Sequence, residues 1–436
     1  MKRSVSPARE LSGDISPPAD KSVSHRAAIL NSLAAGGATI DNYSEGQDCR
    51  STLRCLRALG VSAERVAPED SPTGTAQLRL ASPGLEGLTE PGDVLNAENS
   101  GTTMRFIMGL LASTPFVSVV NGDRSLRSRP MARIVQPLRQ MGAEVMGRGG
   151  GSLAPLTIKG GELKGMEYTM PVASAQVKSS LILASLFASG ETALRQPALS
   201  RDHTERMLGA MGASLIEDGL TLVVKPGAQL KPLDVKVSGD ISSAAFWLVA
   251  GAVHPNARVK LTNVGVNPSR AEVLEILKQM GASITLENPR VEGGEPVADI
   301  YVESGALHGV EISGDQIPIA QDEIPALALA ACFAQGNTVI RDAQELRVKE
   351  SDRISATARE LTRLGAKIEE LPDGMIIEGT GSLKGGTCRS HGDHRLAMTL
   401  GVAGLLAENE VVITGAEVVD VSYPGFWQDL EALTNE

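Results

Sequence analysis

Five charged side chains fall within seven residues at Arg347-Val348-Lys349-Glu350-Ser351-Asp352-Arg353. At helical spacing Lys349 and Arg353 share a face beside Glu350. A carboxylate, an ammonium and a guanidinium held this close can move a proton and grip an anion. Alone, such a run reads as a solvated surface with local ion pairs. Here it follows Asp322-Glu323 and the strand-and-turn stretch Ile340-Arg341-Asp342-Ala343 within one sequence unit, which directs all of these charges to the same end. Arg129, before Pro130 where a helix opens, suits bidentate anion binding. Ser200-Arg201-Asp202-His203 opens a further helix, and Asp393-His394-Arg395 another. His25, His254, His308 and His391 read as structural or surface residues, and Asp14, Asp41 and Asp48 lack the spacing of a metal site.

The elements that must carry these groups recur. Six times a polar cluster runs into an apolar stretch of helical length, at Asp20-Lys21-Ser22, Asn99-Ser100-Gly101-Thr102, Ser174-Ala175-Gln176, Gly239-Asp240, Asp322-Glu323 and Gly392-Asp393. Each cluster has the chemistry of a helix N-cap. The stretches that follow, such as Ser180–Gly190 and Ile324–Gly336, are apolar on nearly every face, so the helices should be buried. A helix N-terminus carries unpaired N–H groups and roughly half a positive charge, so convergent N-termini suit anions. The clusters also bring Lys21, Arg26, Arg105, Lys178 and Arg395.

After each buried helix an amphipathic one ends in a Leu-x-x-x-Gly pattern, at Gly60, Gly142, Gly212, Gly281 and Gly365, and breaks off in a sixth copy at Leu430–Thr434. Glycine there predicts a left-handed C-cap, and alternating segments such as Ala143–Met146 and Ser283–Leu286 predict strands. The unit is strand, helix, strand, helix, strand, strand. It is too long for a solenoid repeat of about 20 to 50 residues, so six units are grouped into two globular domains of an α/β protein.

Composition agrees: 436 residues suit two to four domains of about 100 to 200 residues each. Only 3 % of residues are aromatic and the net charge is −11, which speaks against nucleic-acid binding. Cationic clusters inside an acidic chain point instead to a small anionic substrate. Cys49, Cys55, Cys332 and Cys388 form no C-x-x-C pair, so neither a disulfide framework nor a zinc site is expected. The N-terminal residues lack a signal-peptide core and no apolar run spans a bilayer, so the expectation is a cytoplasmic, monomeric protein without metal or membrane contact.

Taken in order, Asp20–Arg26, Asn99–Arg105, Ser128–Met131, Ala173–Ser179, Arg201–Met207, Arg347–Arg353 and Asp393–Arg395 resemble the 5-enolpyruvylshikimate-3-phosphate synthase family over essentially the whole chain. The resemblance implies an enolpyruvyl transferase fold, an inside-out α/β barrel of two domains, each of three βαβαββ units with buried parallel helices. One domain would comprise residues 1–19 and 238–436, the other 20–237, with crossovers near 19–21 and 236–240. It implies transfer of the enolpyruvyl group of phosphoenolpyruvate to the 5-hydroxyl of shikimate 3-phosphate, with phosphate released through a tetrahedral intermediate and no cofactor. Shikimate 3-phosphate would be held by Lys21, Ser22, Arg26, Ser174, Ala175, Gln176, Ser200, Arg201, Asp322 and Lys349. Phosphoenolpyruvate would meet Lys21, Asn99, Gly101, Thr102, Arg129, Gln176, Arg353 and Arg395. Asp322 would be the base, Lys349 its partner in proton traffic, Glu350 the acid toward the methylene carbon, and Lys21 a further member of the catalytic set. Glyphosate would compete for the phosphoenolpyruvate site.

Two positions depart from the family pattern. Ala19 stands where the first motif usually has glycine, and Val421 where many members have a lysine. A sister family that acts on UDP-N-acetylglucosamine carries a loop cysteine shortly before its Arg-Pro, and here no cysteine lies between Cys55 and Cys332. A non-catalytic anion-binding protein would not need Asp322, Lys349 and Glu350. An RNA-phosphate cyclase on a related repeat fold fits poorly with the acidic charge and few aromatics.

Overall fold

A computed structural model describes residues 1–66 and 76–434. Its six buried helices are α1 (Lys21–Asn31), α2 (Gly101–Leu111), α3 (Ala175–Ser185), α4 (Ile241–Val253), α5 (Ile324–Phe333) and α6 (His394–Leu406). Each lies in one copy of the repeat, and the second copy shows the rule. Strand Leu95–Asn96 leads into α2, Val117–Asn121 follows, the amphipathic helix Ala132–Met141 comes next, and Glu144–Gly147 and Leu153–Lys159 close the unit. The first strand pairs parallel with the second, the second antiparallel with the last, and the last antiparallel with the third. Five four-stranded sheets share this order. No sheet closes on itself among the described residues, so the sheets of the implied barrel are separate.

Three sheets borrow a strand from far along the chain. Val235–Lys236 pairs parallel with Ala35–Tyr43, and Leu11–Ile15 with Ala257–Gly265. Helix Phe426–Thr434 is the last element of the sixth repeat among the described residues. Lys2–Val5 pairs antiparallel with Val411–Thr414 and covers what would have been a bare edge. The antiparallel partner in the sheet of this copy, the one that breaks off at Leu430–Thr434 in the sequence pattern, thus comes from Lys2–Val5. The C-terminal helix is anchored by aromatic packing: the Trp247 indole donates to the Tyr423 hydroxyl at 2.9 Å and stacks on Phe426.

Contacts divide the chain into two units, Met1–Pro18 with Ser238–Arg290 and Pro296–Glu436, and Ala19–Val237 with Val291–Glu295. Each has its own apolar core. Within the second unit α2 and α3 approach so closely that a Cβ on Gly109 would lie 2.3 Å from the Ser180 carbonyl oxygen. Only glycine permits that contact. The five glycines closing the amphipathic helices all adopt φ between 92° and 116°, the left-handed conformation their spacing predicts.

Side-chain caps form at five of the six buried helices, from Asp20, Ser100, Ser174, Asp240 and Asp393. At α5 the cap position is Glu323, which makes no capping bond, and Pro325 supplies the preset first turn. Asp322 is therefore not a helix cap.

Candidate active site

In the second unit the N-termini of α1, α2 and α3 carry a cationic set. Lys21 pairs with Asp48 at 3.1 Å. Burial works to raise the Asp48 carboxyl, but it is held below the usual range, chiefly by the Lys21 ammonium beside it. The sequence reading of Asp48 goes only as far as excluding metal-site spacing; its cationic partner lies on another helix. His25 is fully buried beside Thr52, and burial drives its pKa down to about 3, so it is neutral near pH 7 and structural as expected.

Arg105 donates to Gln176, and the Gln176 amide donates to the Thr102 hydroxyl at 2.9 Å, which ties the start of α2 to the start of α3. Burial, reinforced by Arg129 and Arg133, lowers the Arg105 pKa to about 10. Guanidinium groups gathered in a half-buried corner favour the approach of an anion. Arg129 precedes its helix in extended backbone and donates to Asn99 at 2.8 Å; Asn99 in turn donates to Asp123. Gly101 is the first residue of α2, with helical rather than left-handed φ. Its missing side chain instead makes room, since a Cβ there would stand 2.7 Å from Arg105 Nη1 and 3.4 Å from Arg129 Nη1.

Arg26 is 3 % exposed, and it donates to Thr204, Ser179 and the Ser22 carbonyl while its guanidinium lies 4.9 Å over the Phe106 ring. Ser174 and Ala175 sit at the start of α3, where Ser174 accepts the Val177 N–H. Ser200 donates to Gln196 at 2.5 Å, and Arg201 follows it in the half-buried lead-in to helix His203–Ala210. Lys178 corrects the reading of it as a cation presented to a ligand. It is 2 % exposed, paired with Glu205 at 2.6 Å, and its Nζ also bonds the Ser200 carbonyl, so it props that loop from behind.

The first unit holds the acid–base groups around Arg353, which is the first residue of helix Arg353–Arg363. Its Nε meets Asp393 at 2.8 Å, Nη1 meets Asp322 at 3.2 Å, and Nη2 meets Glu350 at 2.7 Å. Burial opposes the charge on Arg353, but Asp322, Asp393 and Glu350 raise its pKa above the ordinary guanidinium value. Glu350 and Asp393 respond in the opposite sense: burial pushes each carboxyl up, and Arg353 overrides it and holds both low.

Asp393 also accepts the backbone N–H of Arg395 at 2.9 Å, so one buried carboxylate holds the Arg353 guanidinium and the start of the helix that carries Arg395. Arg395 is 7 % exposed, and among the described residues its Nε and Nη1 have no hydrogen-bond partner. Such an unsatisfied guanidinium is costly unless an anion joins it.

Lys349 does not share a helical face with Arg353. It lies in extended backbone after the 3-10 turn Gln344–Val348, half-buried, and makes no hydrogen bond or ion pair among the described residues. Val421, where many members have lysine, is exposed.

Sequence reasoning missed Arg270 altogether. It is 3 % exposed and reaches Asp240 at 3.0 Å, Ser242 at 2.7 Å and Asp322 at 3.8 Å. The available signal was the repeat register: Arg129, Arg201 and Arg270 each stand just ahead of the amphipathic helix in successive copies.

Among the described residues no cluster of three His, Cys, Asp or Glu side chains could hold a metal ion, and no helix is long and apolar enough to cross a membrane. The four cysteines are free and buried.

The model of the EPSP synthase (3-phosphoshikimate 1-carboxyvinyltransferase) family matches residues 5–430. A 3-phosphoshikimate 1-carboxyvinyltransferase of Desulforudis audaxviator is 51 % identical over 100 % of both chains, and one from Herpetosiphon aurantiacus is 52 % identical over 98 % of both. The solved EPSP synthase of Acinetobacter baumannii superimposes with a TM-score of 0.91 at 42 % identity, covering 99 % of this chain and 98 % of its own. With the repeats, the capped helices and the charged motifs all accounted for along its length, this chain belongs to the EPSP synthase family.

Proposed function

We propose that this chain transfers the carboxyvinyl group of phosphoenolpyruvate to the 5-hydroxyl of shikimate 3-phosphate and releases phosphate. The observation that carries the reading is the pair Arg353, its guanidinium held by the buried Asp393, and Arg395, two of whose guanidinium nitrogens have no hydrogen-bond partner among the described residues. A planar carboxylate is the ligand such guanidinium edges fit.

Asp322 takes the proton of the 5-hydroxyl as its oxygen bonds to C2 of phosphoenolpyruvate, and Glu350 delivers a proton to the methylene carbon. Loss of a methyl proton and of phosphate from the tetrahedral adduct then restores the vinyl group. Lys349, without a partner among the described residues, and Lys21 are the ammonium groups assigned to proton traffic and developing phosphate charge. Glu350 bound to Arg353 is held ionised, which is the wrong state for an acid. A substrate carboxylate on Arg353 competes for the same guanidinium edge, and displacing Glu350 removes the cation that keeps it deprotonated.

On the second unit, Ser22, Arg26, Ser174, Ala175, Gln176, Ser200 and Arg201 are assigned to shikimate 3-phosphate, the serines and Arg201 to its phosphate. Lys21, Asn99, Gly101, Thr102, Arg129 and Gln176 are assigned to phosphoenolpyruvate. The enzyme is proposed to work as a cytoplasmic monomer, which sedimentation equilibrium tests.

Phosphate release from phosphoenolpyruvate should require shikimate 3-phosphate. Release without it, or none with both substrates, overturns the reading.

Gly101→Ala should fold normally, because the residue is helical and alanine favours a helix. Its methyl must push back the Arg105 and Arg129 guanidinium groups. The Michaelis constant for phosphoenolpyruvate should rise and glyphosate inhibition should weaken by a larger factor, since glyphosate is the longer occupant. Inhibition curves on both proteins decide it: equal inhibition constants would remove Gly101 from the site.

A further inference from the structure

We infer that Arg270 is a positioning residue for this reaction, holding Asp322 in place while Arg353 exchanges partners; the inference rests on Asp322 being the base. Asp322 is engaged from two sides. Its Oδ1 lies 3.2 Å from Arg353 Nη1 and its Oδ2 lies 3.8 Å from Arg270 Nη1. The two arginines differ in how they are tethered.

Arg353 makes part of its grip with Glu350, whose side chain is 42 % exposed, so an incoming carboxylate has an edge to compete for. Arg270 is anchored inside. Its Nη2 donates to Asp240 Oδ1 at 3.0 Å and to Ser242 Oγ at 2.7 Å, both at the N-terminus of α4, and its side chain is 4 % exposed. Asp240 is itself fixed, accepting the Ser242 N–H as the cap of α4. Ser242 donates to the buried Glu323, the neighbour of Asp322. Arg270 thus connects the rigid start of α4 to the segment that carries the base.

The consequence is a division of labour. When a ligand carboxylate draws Arg353 away, Oδ1 of Asp322 is released toward the substrate hydroxyl. Oδ2 keeps Arg270, so the carboxylate stays oriented at the moment it must accept a proton. A base left to rotate loses the alignment on which proton transfer depends.

The test is a double-mutant cycle of Arg270→Gln and Asp322→Asn in the full-length enzyme, read as turnover and Michaelis constants for both substrates. Arg270→Gln should lower turnover by about 10- to 100-fold, with both Michaelis constants changed less than about threefold. In the Asp322→Asn background the same substitution should cost less than about threefold, because its target is gone. Arg270→Lys, which keeps the charge without the fork, should recover part of the loss and show the same dependence on Asp322. It carries the test should the glutamine variant not fold. A loss of turnover that persists undiminished in the Asp322→Asn background would make Arg270 a structural brace of α4 and overturn the inference, as would unchanged turnover. Near-normal turnover of Asp322→Asn alone would instead overturn the assignment of the base.

Discussion

Asp322→Asn should lower turnover by roughly 100-fold or more, the usual scale for removing a general base, while leaving shikimate 3-phosphate binding largely intact. The substitution is informative because Asp322 is not the cap of α5. That position belongs to Glu323, so asparagine neither breaks nor mimics a capping bond. What changes is the charge and the ability to take a proton. Arg353 keeps Asp393 and Glu350, and Arg270 keeps Asp240 and Ser242, so the surrounding framework survives. Steady-state phosphate release and direct titration with shikimate 3-phosphate together check it. Turnover within a few-fold of the parent would strip Asp322 of its role.

Arg353→Gln should destabilise the protein by about 3–5 kcal/mol near neutral pH, the scale for removing one partner of a buried ion pair. Asp393 is fully buried, and the substitution leaves its carboxylate without the guanidinium that compensates it. The effect should depend on pH in a definite sense. In the parent, Arg353 holds the folded-state pKa values of Asp393 and Glu350 below their ordinary values. Such groups contribute stability that is fully present above the unfolded carboxylate pKa and is lost as pH falls through the depressed folded values. In the variant the buried Asp393 carboxyl loses the Arg353 guanidinium that most favours its ionisation, so protonation relieves it. The gap between the two proteins should therefore be widest near pH 7 and narrow as the pH falls into the carboxylate range. Denaturant unfolding at several pH values measures this, and a gap independent of pH would mean that these carboxylates do not titrate against Arg353. The same variant should lose affinity for phosphoenolpyruvate, through the missing carboxylate grip.

Local chemistry made much of this protein readable in advance. The N-cap residues Asp20, Ser100, Ser174, Asp240 and Asp393 bond the first turns of their own helices, an interaction closed within three residues. Left-handed glycines at the ends of the amphipathic helices are likewise set by steric rules at one residue. Repetition of these short-range signals is what revealed six copies of one unit. Lys349 shows where local reasoning fails, because helical spacing from Arg353 presumed a helix that begins only at Arg353 itself. Lys178 fails differently: nothing near it in sequence announces Glu205 on another helix, which turns a candidate ligand contact into a buried strut.

The amino-acid sequence by itself determined the repeat, its capped helices and the kinds of groups gathered at their N-termini, because each depends on neighbours within a few residues. Only the tertiary structure decided which charges face one another. Lys2–Val5 completes a sheet begun near residue 386, Arg270 reaches Asp322 across 52 positions, and Asp393 orients Arg353 from 40 residues away. Such pairings arise when separate helices and strands are packed, and Coulomb energy acts on distance in space rather than on separation along the chain.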